Sequence, residues 1–176
     1  MNLGIHTKMV VEAGLMIVLS YILHFIVLFQ FPQGGAITAA STAPLVLYAL
    51  RWGVKPGMVV STVYGIIVFF AGMTYTLPPV SIVLEYIVGY GILGVAGAFG
   101  QYRGQAMTGT TLACLLRCLV ATVSSMIVFQ SAVPAGQDLW TYSLVYNASY
   151  LLPEMILTLM AVFIFYPKIK EMKTLK

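Results

Sequence analysis

Long apolar runs alternate with short polar breaks along the whole chain. The runs cover about Lys8–Phe29, Ile37–Leu50, Met58–Ala71, Val80–Phe99, Met107–Phe129 and Leu139–Tyr166. The breaks are Gln30-Phe31-Pro32-Gln33-Gly34-Gly35, Arg51-Trp52-Gly53-Val54-Lys55-Pro56-Gly57, Gly72 to Pro79, Gln101 to Gln105 and Gln130 to Asp138. A membrane-spanning helix needs about 20 apolar residues. The pattern therefore predicts an all-α membrane protein, a bundle of six transmembrane helices forming one integral domain over residues 1–176. The second run is short and has Pro44 inside it, which neighbouring helices in a bundle can accommodate. The fourth carries Gly89, Gly91, Gly94 and Gly97, small residues that let helix backbones approach closely in lipid.

Composition strengthens this picture. Hydrophobic residues make up 60% of the chain and charged ones 8%, against roughly 25% charged in a soluble domain. Lipid must supply much of the solvent, and the length leaves no room for an ATP-binding module. With six spans, eight of the nine Lys and Arg residues fall on one side: Lys8, Arg51, Lys55, Arg103, Lys168, Lys170, Lys173 and Lys176. The opposite loops hold no Lys or Arg, only Asp138. The positive-inside rule then puts both termini in the cytoplasm of a multi-pass protein of the bacterial cell membrane.

The net charge of +4 reads as attraction to anionic headgroups rather than to nucleic acid, because four of the lysines directly follow the last apolar run. Cys114 and Cys118 sit four apart within one predicted helix, poor geometry for a disulfide. With no further soft ligands nearby they read as packing residues. The first apolar run is expected to be a span and not a cleaved signal.

Charges within spans are costly and ask for a reason. Glu85, in Val83-Leu84-Glu85-Tyr86, lies about two turns below the outer end of helix 4 and suits a cationic or amine-bearing ligand. Pairing with another helix is the structural alternative. Tyr75, Tyr86, Tyr142, Tyr146, Asn147 and Tyr150 are expected at similar depth, where rings and hydroxyls suit a flat heteroaromatic molecule. An interfacial aromatic belt is the competing reading. It is preferred for Tyr150 and Tyr166, and both readings stand for Tyr142 and Asn147. Arg117, near the middle of helix 5, and Glu154, at similar depth in helix 6, are expected to form a structural ion pair. His6 reads as a solvated terminal residue and His24 as a packed one. No nucleophile–base pair, phosphate loop or metal cluster is present in the sequence, so neither catalysis nor a cofactor is expected.

Three segments carry a family resemblance. They are Phe31-Pro32-Gln33-Gly34-Gly35 through Ala43-Pro44-Leu45 to Leu50-Arg51-Trp52-Gly53-Val54-Lys55-Pro56-Gly57; Val83-Leu84-Glu85-Tyr86; and Pro134-Ala135-Gly136 through Trp140-Thr141-Tyr142-Ser143-Leu144-Val145-Tyr146-Asn147. In order and spacing the chain resembles the substrate-binding S component of energy-coupling factor (ECF) vitamin transporters, of the thiamine type (ThiT family). The resemblance implies six helices, an outward-facing site, no catalysis by this subunit, a membrane scaffold partner (EcfT type) and two cytoplasmic ATPases. It implies ligand-binding roles for Glu85, Tyr86, Tyr142, Asn147, Tyr75 and Phe129.

Two positions depart from the family pattern. Ala121 stands where members usually carry histidine, and Ser125 where glycine is expected. The loss of a ring and the gain of a hydroxyl suit a small heteroaromatic. Thiamine, its aminopyrimidine precursor and a vitamin B6-type pyridine all remain open. The alternative class is a stand-alone ion-coupled secondary transporter with Arg117 and Glu154 at its core. The resemblance also implies scaffold contact through small residues on helix 1, where Ala13-Ile17-Tyr21 and Gly14-Val18 form two rows.

Overall fold

In a computed structural model that describes residues 3–32, 34–72, 78–128, 130, 133–134 and 136–174, the first helix, α1, runs Leu3–Phe25. It ends before the expected Phe29. Strand β1 (Val27–Gln30) turns back to pair antiparallel with β2 (Ala36–Thr38). The run Ile26 to Phe31 is as β-prone as it is helical, and Pro32 bars continuation of a helix. Gly34, at φ 96°, makes the turn.

Helix α2 (Ala43–Trp52) also starts later than expected. Pro44 is not inside it but in its first turn, where a missing N–H costs nothing. At ten residues α2 is about 15 Å long, half the hydrocarbon thickness. It is buried almost throughout, with Leu45 and Val46 wholly covered. Helix α3 (Val54–Ala71) begins straight after Gly53, and Pro56 again falls in a first turn. Helix α4 spans Pro79–Phe99, α5 spans Arg103–Val128 and α6 spans Leu139–Thr174. Among the described residues five helices are long and apolar enough to cross a membrane, and α2 is the shorter sixth. The chain is a multi-pass membrane protein.

Helix α4 is irregular, with a π-helical stretch at Val83–Val88 and 3₁₀ winding over Ile92–Phe99. Runs of 3₁₀ helix longer than about four residues are uncommon, and glycine spacing explains this one. Gly91, Gly94, Gly97 and Gly100 recur every three residues, which at three residues per turn lines them up in a straight row. That row faces the backbone of α2 and α3. A Cβ on Gly94 would strike Met58, one on Gly97 would lie 2.5 Å from the Gly53 carbonyl carbon, and one on Gly100 would strike the Leu50 carbonyl.

Two polar clamps bind the opposite end of the bundle. Arg51, expected in a basic turn, is buried in the last turn of α2, its Nε 3.1 Å from Glu12 of α1, while Trp52 Nε1 donates to the same carboxylate at 2.8 Å. Helix α6 outruns its expected end at Tyr166 and continues through Pro167. Pro167 has no N–H for the Phe163 carbonyl four residues back. The Arg103 guanidinium supplies the missing donor at 2.6 Å and lies 3.4 Å from the centre of the Phe163 ring. Arg103→Ala should lower the melting temperature in detergent by about 2–4 °C, the size of one net hydrogen bond, with ligand affinity unchanged. A fall in affinity without loss of stability would contradict this.

Candidate functional site

The site lies at the end of the bundle where α1, α3 and α5 finish and α4 and α6 begin. A cavity of about 560 Å³ opens there, beneath the β1–β2 hairpin. The π-helical stretch brings Glu85 and its neighbour Tyr86 to the wall together, with Tyr90 one turn on. π turns of this kind recur at functional sites. Helix α5 adds Arg117, Ser124 and Ser125; α6 adds Tyr146, Tyr150 and Glu154; α1 adds Tyr21 and His24.

Glu85 makes no hydrogen bond or ion pair with any described residue. The cavity wall beside it includes Val68, Ala71, Val128 and Leu151. In that apolar setting a carboxylate gains greatly from a cation or an N–H donor.

The expected Arg117–Glu154 ion pair does not form. The Arg117 guanidinium stacks on the face of Tyr90, 4.0 Å from the ring centre. An ion pair that does form joins Arg51 to Glu12, at 3.1 Å. Glu154 is occupied by the hairpin. It accepts the Thr38 N–H and hydroxyl, each at 2.7 Å, and the Ser41 N–H at 3.1 Å, with Ser41 Oγ 3.3 Å away. Depth along two helices put the charges level, but the hairpin and the residues after it take up the Glu154 carboxylate.

A second tie fixes the hairpin: the Gly35 N–H donates to the Tyr146 hydroxyl at 2.8 Å. A Cβ at Gly35 would lie 2.6 Å from the Tyr150 ring, so only glycine allows the strand to lie flat there.

The other expected site residues divide. Asn147 is buried and makes its hydrogen bonds inside the protein, to Ser125, Ser143 and Tyr150. Ala121 packs with Cys118 and Leu151 behind the wall. Tyr142 lines a separate hollow with Asp138, Thr141 and Val145. Beside it the Thr141 N–H and hydroxyl hold the Asp138 carboxyl below its usual range, so Asp138 stays ionised at the start of α6. Tyr75 and Phe129 lie outside the described residues.

Sequence reasoning named Tyr146 among the candidate rings, assigned Tyr150 to the interfacial belt and His24 to packing, and missed Tyr90, along with Gln30, Gly35 and Thr38 of the hairpin, as wall residues. The spacings Tyr86–Tyr90 and Tyr146–Tyr150 carried a signal, since residues four apart share a helix face.

Residues 10–174 match the family model described as "Thiamine transporter protein (Thia_YuaJ)". The chain belongs to that family. Among curated thiamine transporter relatives, ThiT of Bacillus subtilis (strain 168) is 28% identical over 172 residues, 89% of each chain. ThiT of Lacticaseibacillus paracasei is 23% identical over 135 residues, 68% of this chain and 67% of that one. The fold is similar to that of a solved structure of ThiT from Listeria monocytogenes. The two superpose with a TM-score of 0.82 at 18% identity, covering 93% of this chain and 97% of the other. The family is one of transporters and not of enzymes.

Proposed function

We propose that the protein is the thiamine-capturing membrane subunit of an ATP-driven ECF importer. The observation that carries this is the Glu85 carboxylate, which has no hydrogen bond or ion pair among the described residues, in a cavity walled by Tyr86, Tyr90, Tyr146 and Tyr150. Thiamine is a thiazolium cation joined to an aminopyrimidine. Its charge suits Glu85, and its two flat rings suit tyrosine faces. The names of the relatives support the same ligand. The aminopyrimidine alone or a B6-type pyridine could still bond to Glu85, but neither brings a permanently cationic ring.

The basic end, with Lys8, Arg103, Lys168 and Lys170, is proposed as cytoplasmic, so that the cavity opens outward. A scaffold subunit and two ATPases would act at that end. The Ala13-Ile17-Tyr21 row of α1 packs against the core, whereas Gly14 and Val18 face outward beside Leu15 and Ile22. The outward row is the proposed scaffold contact.

Titration calorimetry of the purified protein tests the ligand. Thiamine should bind more tightly than its pyrimidine half or pyridoxine. Glu85→Gln should cost at least about tenfold in affinity, the scale of a hydrogen bond to a charged group. No heat with thiamine, or full affinity in the variant, would overturn the reading. Uptake by vesicles that also hold the scaffold and ATPases should require ATP.

A further inference from the structure

Strand β1 is apolar and uncovered on both of its faces. Phe25, Ile26, Val27, Leu28 and Phe29 are consecutive large apolar residues, and all are exposed, Phe25 to 67%, Leu28 to 59% and Phe29 to 57%. Side chains of a strand alternate between its faces, so exposure of Val27, Leu28 and Phe29 in succession leaves neither face of β1 buried. Other connections expose polar groups instead, Gln101 and Arg103 after α4, Gln137 and Asp138 before α6. A continuous apolar patch of this kind marks a contact with something other than water.

Three observations say what that is. The patch runs on from the outward side of α1, where Leu15, Val18, Leu19 and Ile22 are exposed to the lipid of a membrane-spanning helix. Helix α1 has 23 residues, about 34 Å at 1.5 Å per residue, against a hydrocarbon core of about 30 Å. Its last residue, Phe25, therefore reaches the edge of that core, and β1 starts at the boundary with the headgroups. The strand also cannot lie much deeper. Among the described residues β1 pairs with β2 alone, and an open strand edge is not tolerated in hydrocarbon, where no water reaches its N–H and C=O groups.

A strand from a second copy is the competing occupant of that edge. The ladder argues against it. Val27 pairs with Thr38 and Phe29 with Ile37, so Leu28 is the extra residue of a bulge. A bulge twists an edge and interrupts the straight row of groups that another strand needs. The proposed scaffold subunit would act at the opposite, basic end.

We infer that β1 anchors the roof of the cavity in the membrane. Leu28 and Phe29 lie among acyl chains at the headgroup boundary, while the backbone stays at a level that water reaches. The inference takes its leaflet, the outer one, from the proposed orientation and uses nothing else of the proposed function. The anchor connects to the cavity through rings. Phe29 meets Phe31 edge-on with centroids 4.9 Å apart, and Phe31 packs on the cavity-lining Tyr146 and Tyr150 at 6.3 and 6.1 Å. Lipid, roof and cavity wall thus form one line of contact.

Spin labelling of the full chain in vesicles of phosphatidylcholine and phosphatidylglycerol tests this. Labels go on Leu28→Cys and Phe29→Cys, with Leu19→Cys as the lipid-facing control and Gln137→Cys as the aqueous one. The native thiols of Cys114 and Cys118 are buried, and wild-type protein taken through the same labelling gives the background. Oxygen concentrates in lipid and a nickel chelate in water. At both strand positions oxygen should relax the label more strongly than the chelate does, with a ratio between those at Leu19 and Gln137, as the shallow depth demands. A ratio at either position equal to that at Gln137 would overturn the inference. Broadening at Leu28 that disappears on dilution with unlabelled protein would also overturn it, by placing a second copy on the strand. These readings need no ligand. Failure to bind thiamine would overturn the proposed function and leave the anchor standing, whereas a water-exposed β1 in protein that binds thiamine would overturn the anchor alone.

Discussion

Glu154→Ala should lower the melting temperature of the detergent-solubilised protein by on the order of 10 °C. The carboxylate is 5% exposed and serves two backbone N–H groups and the Thr38 hydroxyl. Removing one side of a buried, charged hydrogen-bond network costs roughly 3–5 kcal/mol, and each kcal/mol shifts the melting point of a chain of this size by about 2–4 °C. The hairpin would then remain tied to α6 mainly through Gly35 and Tyr146. Glu154→Gln should fall between alanine and wild type. It keeps one acceptor oxygen but turns an N–H toward groups that are themselves donors. Ligand release should quicken in both variants, since the hairpin forms the roof of the cavity. A melting point within 2 °C of wild type for Glu154→Ala would refute the clamp.

Gly65→Val should be more damaging still, giving little monodisperse protein on size exclusion. A Cβ at Gly65 would run into the Tyr86 carbonyl oxygen, with the Tyr90 ring 3.0 Å away. The main obstacle is backbone and cannot swing aside, so α3 must move off the π-helical stretch of α4. Overpacking of this kind costs about 1–3 kcal/mol when side chains can yield, and more where they cannot. The stretch that is pushed carries Glu85 and Tyr86, so protein that does fold should also bind thiamine at least about tenfold more weakly. Gly14→Val provides the control. Nothing lies within 4 Å of a Cβ there, so yield and binding should match wild type. Equal behaviour of the two valine variants would remove the close α3–α4 contact from the account.

How much of this was legible varies by element. The runs of α5 and α6 were readable as spans because nothing but lipid suits so many consecutive apolar residues. Glu85 stood out because a carboxylate in such a run needs a partner. The hairpin was hidden, since Ile26 to Phe29 extend the apolar run of α1 and a short apolar stretch does not reveal its own period. That concealment also undid the Arg117–Glu154 pairing, because the group that takes Glu154 comes from the hairpin. Rotation was the other gap. Helix α6 is apolar nearly all round, lipid-facing side included, so no stripe showed that Tyr146 and Tyr150 face the cavity while Tyr142 lines a separate hollow.

The glycine row of α4 has a mechanical consequence. At three residues per turn the four glycines sit in one file. If the same segment relaxed to ordinary α winding, each step of three would swing by about 60°, and Gly100 would end on the face opposite Gly91. Alanine-sized clearance exists nowhere along Gly94, Gly97 and Gly100, so the overwound helix fits its slot in a single register. It behaves like a key cut for one lock, either fully seated against α2 and α3 or withdrawn. The floor of the bundle is thereby kept rigid, and give is left to the hairpin at the other end.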